Sequence, residues 1–405
     1  MKIEKIENKC LLLGLLVALL LQLSSCSDSS NNPTEPKDEV YIVSQTKIGT
    51  VSKLELQLLA FVSGVTVTPL YDVDVYKIEY HSKAKNTAPL VASGIICLPV
   101  TDDSKKGIVS WQHLTILKNY EAPSQNSMQS ILTTSEVAIT ASLGYVSASN
   151  DYLGFGATAN SGIPQPYHIY SYSVNDWLLF MRAVNEYIDE NSIATNKKLW
   201  ITGYSQGGYN ATAAMKKWQT ENHKFFDLQE VYSGSCAYSL TELADEIFNN
   251  NDYQAAHLIY PFITAYNYYY ELNMNYENIY KPDYLAIVDE LYDVNGSQTI
   301  EYIKEVIPNK LNEFLEEKFI NDVKNKTGGF YSKLSENNLT NFVPNRKLYI
   351  FHSNNDEYIP VSIAENAYNH YVGKSGNVEL VKSPNALNHP DTYFEFMNFV
   401  LDRLK

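Results

Sequence analysis

Gly203-Tyr204-Ser205-Gln206-Gly207 stands between an apolar run at 199–201 and an alanine-rich stretch at 209–217. The pentapeptide has the form Gly-x-Ser-x-Gly. At average glycine and serine usage, about 0.1 such matches arise by chance in a chain of this length, so context decides its meaning. The run before it reads as a strand and the stretch after it as a helix. Glycines on either side of a serine let the chain reverse sharply, leave the hydroxyl exposed at the turn and let the helix pack close. The first amides and the dipole of that helix then face the reaction. Gly208 adds to the close packing. The competing reading is a glycine-rich strand–helix turn with a capping serine.

A serine hydroxyl is a poor nucleophile until a base takes its proton. Downstream, Phe351-His352-Ser353-Asn354-Asn355-Asp356 leaves a strand for a polar loop. Asp356 is the expected acid; strand-end geometry favours it over the adjacent Glu357. His389, in a loop before the last helix, is the expected base. Seven other histidines compete. His81 falls in an early hairpin, His223 in a charged segment, His257 in a helical stretch and His370 in a helix. His352 precedes Asp356 by too little to sit across from it independently, and His113 and His168 lie upstream of the serine. Only His389 gives the order Ser, Asp, His with a final loop after a strand.

In these roles His389 takes the Ser205 proton and returns it to the leaving group, while Asp356 fixes the imidazole tautomer. The oxyanion needs two N–H donors. One is the Gln206 amide, directly after the nucleophile. The other is expected in the loop Gln112-His113-Leu114-Thr115.

Strands are expected at 71–80, 92–98, 106–112, 144–149, 198–202, 226–233, 347–352 and 378–381, and helices at 171–187, 206–219, 361–371 and 391–404. Strand–helix alternation of this kind implies an α/β fold, a mostly parallel central sheet with helices on both faces. Between 240 and 341 the rhythm changes to helical stretches at 241–248, 284–292 and 300–324, with tyrosines dense over 260–284. This reads as a helical cap over the carboxyl edge of the sheet. The core is then 43–239 with 342–405, interrupted by the 240–341 cap insertion.

The Gly203–Gly208 turn, Asp356 and His389 resemble the α/β-hydrolase superfamily. Four further stretches resemble its secretory-lipase-type branch: Ala92-Ser93-Gly94-Ile95-Ile96-Cys97-Leu98-Pro99, Trp111-Gln112-His113, Asp151-Tyr152-Leu153-Gly154-Phe155-Gly156 and Pro166-Tyr167. The resemblance implies the α/β-hydrolase fold from about residue 71 to 404, weakest in the insertion. Oxyanion loops of that branch read Gln-His-Gly-Thr; this chain has Leu114 where glycine is usual, and by position the second donor is the Thr115 amide. In the same branch the Asp151 segment is structural, and a turn role is expected for it.

The formal charge is −15, from 46 acidic and 31 basic residues among 405. Phosphate binding needs clustered Lys and Arg, so nucleic acid is not an expected partner. A hydrophobic content of 45% supplies a large core. Residues 1–25 combine Lys2, Lys5 and Lys9 with an apolar run at 11–23, the form of a secretory signal. Leu23-Ser24-Ser25-Cys26 resembles the bacterial lipobox, which implies lipidation at Cys26. Residues 26–42 read as a polar tether, and its acidic character is similar to surface-export signals of Bacteroidetes lipoproteins. The expected location is the outer membrane or cell surface, with the periplasmic side also open. Cys97 and Cys236 sit in apolar runs and read as buried and unpaired; an oxidising envelope also permits a disulfide. There is no metal-ligand spacing and no nucleotide loop, so no metal or cofactor is expected.

The function these residues describe is hydrolysis of carboxylic esters through an acyl-enzyme, on a small-molecule ester substrate. Aromatic walls in the insertion would suit hydrophobic or aromatic esters, or acylated sugars; the tyrosines could equally pack the insertion. A peptidase or amidase, or an acyltransferase, would use the same three side chains. A surface-binding lipoprotein with an inactive hydrolase core is the alternative from another class.

Overall fold

Strand β4 (Ile108–Gln112) shows how the sequence builds the sheet. Ile108 and Ser110 face one side, where the Ser110 hydroxyl accepts from the Trp177 indole at 3.0 Å. Val109 and Trp111 face the other, where the Trp111 indole donates to the Thr140 hydroxyl at 2.9 Å. All five residues are buried. A strand covered on both faces loses polar–apolar alternation and reads as one continuous run.

The computed structural model describes residues 40–405 other than 84, 86–88, 126–134 and 221–224. The expected signal sequence, Cys26, the tether up to residue 39 and His223 lie outside the described residues. The other strands are β1 (Ile42–Val51), β2 (Val73–Lys83), β3 (Pro89–Pro99), β5 (Val146–Asn150), β6 (Lys198–Tyr204), β7 (Asp227–Gly234), β8 (Lys347–His352) and β9 (Val378–Lys382). They form one sheet in the order β1-β2-β3-β5-β4-β6-β7-β8-β9. The pairs β1–β2, β2–β3 and β3–β5 are antiparallel. From β5 onward every pair is parallel. Parallel strands end at one edge, so the loops after β4, β6, β8 and β9 converge there, where ligands of such sheets bind.

Helices α1 (Lys53–Val62) and α2 (Ser135–Ser142) supply Leu56, Ala60, Val137 and Ile139 to one core cluster. Helices α3 (Tyr170–Glu190) and α4 (Gln206–Thr220) supply Trp177, Phe180, Ala211 and Met215 to the other. Between β7 and β8 the described elements are helices: α5 (Leu240–Asn250), α6 (Ile259–Tyr269), α7 (Ile300–Val306), α8 (Glu317–Lys324), α9 (Gly328–Glu336) and several one-turn segments. Their apolar sides continue the second cluster without a break. Helices α10 (Val361–Gly373) and α11 (His389–Leu404) complete the chain. Cys97 and Cys236 are buried and unpaired.

Four local differences from the sequence reading have physical causes. Strand β1 begins at Ile42, the last residue of the expected tether, and went unread because two register shifts break its alternation. Helix α1 went unread because Leu54, Leu58 and Phe61 are apolar on the side away from the core, which removes the amphipathic period. The expected helix over 300–324 is three helices, Ile300–Val306, Leu311–Phe314 and Glu317–Lys324; the first break contains Pro308, which cannot donate within a helix, and the second, at Leu315 and Glu316, has extended backbone. His389, expected in a loop, is the first residue of α11; Asn388 caps that helix by accepting from the Asp391 amide at 2.8 Å.

The side chain of Lys118 is fully buried and donates to the carbonyls of Leu291 (2.9 Å) and Asp293 (2.7 Å), while the Asn119 amide donates to the Val294 carbonyl at 2.7 Å. The segment after β4 is thus fastened to the helical insertion.

Glu136, 1% exposed in the first turn of α2, has one carboxylate oxygen without a partner among the described residues. Burial pushes its carboxyl up to about 7, against smaller lowering by hydrogen bonds from the helix backbone and Tyr393. A carboxyl raised in the folded state favours folding at low pH, and that contribution is lost as pH rises from its ordinary range towards 7. Glu136→Gln is expected to match the parent in folding stability near pH 4 and to exceed it above pH 7, by on the order of 3 kcal/mol. Equal melting curves at pH 8 would show that Glu136 is not held in this way.

Candidate active site

Ser205 sits directly after β6 with φ +56°, a left-handed conformation that costs energy for a residue with a Cβ. Its amide donates to the Gly234 carbonyl at 2.8 Å, and its carbonyl accepts from Tyr209 at 3.1 Å as the first turn of α4. The glycines of the pentapeptide are needed for close approach. A Cβ at Gly203 would lie 2.4 Å from the Gly207 carbonyl, and one at Gly207 would lie 2.0 Å from the Gln112 carbonyl oxygen. Both contacts are with backbone, so something must shift. Gly207→Ala is expected to lower stability by ~1–3 kcal/mol and to disturb the end of β4 beside Ser205. Thermal melting with an ester assay would check this; unchanged values for both would contradict the packing described.

The Ser205 hydroxyl is 2.9 Å from Nε2 of His389, and Nδ1 of His389 is 2.8 and 2.9 Å from the two carboxylate oxygens of Asp356. Ser205 directly follows β6, Asp356 lies in the loop after β8 and His389 opens the helix after β9; the bonded pairs are 184 and 33 residues apart. Asp356 is held by the amides of Tyr358 (3.0 Å) and Ile359 (2.9 Å). Burial pushes its carboxyl up, but the rings of His389 and His352 and the Ile359 amide outweigh this and hold it below the ordinary range. The carboxylate is therefore kept ionised beside the imidazole.

Several supporting groups carry no sequence motif. His352 Nε2 lies 3.5 Å from Asp356 and 2.8 Å from the Ile359 carbonyl, to which its N–H donates; burial lowers its pKa. It does sit beside Asp356, only four positions before it, because the strand ends and the chain folds back. Glu357 accepts the His389 backbone amide at 2.8 Å, which separates its job from that of Asp356. Tyr204 donates to the His389 carbonyl at 2.6 Å, and Tyr358 stacks on the imidazole with centroids 4.8 Å apart.

Gln206 opens α4, and its amide has no acceptor among the described residues, as expected for the first turn of a helix. The Thr115 amide is also without one, and its hydroxyl is 3.0 Å from that of Tyr167. The 112–115 loop is braced by the buried ring of His113, which contacts the Leu114 carbonyl (2.7 Å) and stacks on Tyr152. Asp151 is buried and accepts from the Ser93 hydroxyl (2.5 Å) and the Ser124 amide (2.8 Å), so in place of the expected turn role it bridges two distant segments to the end of β5. Of the other histidines, burial takes His113 to about 4 and His168 and His257 to about 3, so all are neutral. Among the described residues only His389 hydrogen-bonds the Ser205 hydroxyl.

The insertion holds an apolar cavity of about 40 Å³ lined by Leu243, Phe248, Tyr253, Leu258, Phe262 and Phe330 among others. Phe262 packs on Tyr167 (4.8 Å, 90°) and on His168 (4.8 Å, 20°), which ties the cavity wall to the 112–115 loop through the Tyr167 hydroxyl. No tyrosine of 260–284 lines this cavity; Tyr260 instead stacks on Tyr292, and Tyr276 packs on Tyr280. No group of metal-ligating side chains occurs among the described residues.

A model of the secretory lipase family matches residues 123–392, two thirds of the chain. No curated protein matches. Solved structures do. A protein of Legionella pneumophila, provisionally described as a hydrolase, superposes with a TM-score of 0.82 at 23% identity, covering 90% of this chain and 97% of that one. The rice cell wall degrading esterase LipA of Xanthomonas oryzae gives 0.78 at 20% identity, covering 90% and 99%. Candida antarctica lipase A gives 0.64 at 14% identity, covering 86% and 77%. At these identities the likeness establishes the fold, which is that of the α/β hydrolases.

Proposed function

The chain belongs to the secretory lipase family and is a carboxylic ester hydrolase, and on that premise we propose that it works by a Ser205–His389–Asp356 triad through an acyl-enzyme. The Ser205 oxygen attacks the ester carbonyl carbon as its proton passes to Nε2 of His389. The Nδ1 proton stays on the ring, directed at Asp356, which stabilises the imidazolium. The carbonyl oxygen becomes an oxyanion held by the Gln206 and Thr115 amides. On collapse the proton goes to the departing alkoxide, the alcohol leaves, and the acyl group remains on Ser205. Water repeats the sequence and releases the acid.

The observation that carries this reading is the continuous path of contacts at 2.9 and 2.8 Å from the Ser205 hydroxyl through His389 to Asp356. The unpartnered amides at 206 and 115 support the oxyanion assignment. The core is assigned to 43–239 with 342–405 and the cap to 240–341. Family membership points to export, and no described helix is long and apolar enough to cross a membrane. The 1–25 signal and lipidation at Cys26, with the chain held at the cell envelope, complete the proposal.

A stopped-flow assay with p-nitrophenyl esters of increasing acyl length, beside dipeptide p-nitroanilides, tests it. The expected result is a burst of one p-nitrophenol per chain followed by slower turnover, on esters only. Turnover of anilides in preference to every ester would overturn the ester reading.

A further inference from the structure

Helix α1 is apolar on two sides. Leu56 and Ala60 are 0% and 3% exposed and face the core. Leu54, Leu58, Phe61 and Val62 are 74%, 61%, 81% and 66% exposed. At 100° per residue these four fall within an arc of ~100° on the side away from the core. A helix apolar all round is normally buried all round. Here the outer stripe is bare, on an element that is otherwise firmly closed. Ser52 and Glu55 form a reciprocal cap, with the Ser52 amide donating to the Glu55 carboxylate at 2.7 Å. The helix carries one positive and one negative residue, Lys53 and Glu55, so the stripe has no net charge.

We infer that this stripe is a membrane-docking face that lies in a neutral lipid surface and acts as the second attachment of a lipid-anchored chain. The inference rests on the anchoring of Cys26 put forward above and not on the triad. Fourteen residue steps separate Cys26 from Val40, where the described chain begins, and twelve more reach Ser52. Fourteen steps span at most ~50 Å, so a lipidated Cys26 confines the helix to the neighbourhood of a bilayer. At that effective concentration a modest apolar face is enough to dock. A single lipid chain holds a protein only marginally, and stable attachment takes two signals. The outer stripe is the face of a convex helix, which matches a flat lipid interface. The −15 charge of the chain disfavours anionic headgroups, which is why the lipid is taken as neutral. The inner side of the helix, Leu56 and Ala60, packs in the core cluster that does not contain the insertion, so docking of the outer stripe does not use the insertion.

The test uses the full, lipidated chain with Leu58→Cys bearing an environment-sensitive nitrobenzoxadiazole dye. Cys97 and Cys236 are 1% and 0% exposed, so the dye goes to position 58. Val372→Cys, at a site 47% exposed on α10, is the control. Both are mixed with phosphatidylcholine vesicles carrying doxyl-labelled acyl chains. The expected result is flotation of both proteins with the vesicles, and quenching at position 58 at least twice that at position 372. Flotation without quenching at 58 overturns the docking face and leaves the anchor standing. Failure to float overturns the anchor and the docking face with it. A blue shift at 58 that grows with protein concentration and needs no vesicles assigns the stripe to a second copy of the chain and overturns the lipid proposal. None of these outcomes bears on ester hydrolysis, which is read separately.

Discussion

Ser205→Ala is expected to cut turnover of an ester substrate on the order of a millionfold, and His389→Ala by about the same. The two losses are expected to be equal and not additive, because the hydroxyl and the ring act as one unit: without the base the serine is a weak nucleophile, and without the serine the base has no proton to move. The Ser205 hydroxyl has Nε2 of His389 at 2.9 Å. Removing either partner leaves only the oxyanion amides and binding, which preserve a residual acceleration over water. The double variant should therefore be no slower than either single one. Steady-state kinetics at saturating ester, on freshly refolded protein to exclude wild-type contamination, measure this. A double variant slower than both singles by another factor of a thousand would mean that the two side chains serve separate steps.

Asp356→Asn is expected to lower kcat by roughly ten-thousandfold, while Glu357→Gln stays within about tenfold of the parent. The carboxylate accepts the Nδ1 proton of His389 at 2.8 Å and fixes the tautomer that leaves Nε2 free. An asparagine can present its amide to the ring and select the wrong tautomer. Glu357 touches only the backbone amide of residue 389, and glutamine still offers a carbonyl to it. The two neighbours thus have opposite sensitivities. The sign of the stability effect follows from the depressed carboxyl of Asp356. A carboxyl lowered on folding stabilises the fold above its ordinary pKa, and the contribution is lost as pH falls through the lowered value. Loss of stability on acidification should accordingly be shallower in Asp356→Asn below pH 4. A near-normal Asp356→Asn with a dead Glu357→Gln would reverse the assignment.

The parts of this site that were legible in the sequence are those whose chemistry forces a local pattern. The serine turn needs glycines because a Cβ at Gly207 would overlap the Gln112 carbonyl, and that demand is written into five consecutive residues. The proposed acid and base follow from chain order and strand ends, since parallel strands deliver their following loops to one edge. The parts not legible depend on contacts with no local signature. His352 precedes Asp356 by only four residues, too few for the sequence to place it across from the acid, yet the turn after β8 brings its ring to 3.5 Å from the carboxylate. The Lys118 link to the carbonyls of Leu291 and Asp293 joins residues about 175 positions apart and leaves no trace in either segment. Composition alone leaves the tyrosine-dense stretch open between lining and packing, because these rings pack both on one another, as Tyr276 on Tyr280, and on rings outside the stretch, as Tyr269 on Tyr172 and Tyr260 on Tyr292. Helices α1 and α2 lack a polar–apolar period for different reasons: the exposed side of α1 is itself apolar, and α2 is buried on all sides.

The most direct test of the central claim is to react the folded protein with a fluorophosphonate ester and to locate the adduct by peptide mass spectrometry. The expected result is one phosphonyl group per chain on the peptide containing Ser205, abolished in Ser205→Ala and slowed by orders of magnitude in His389→Ala. A stoichiometric adduct on a different residue, or an active esterase that takes up no label, would contradict it.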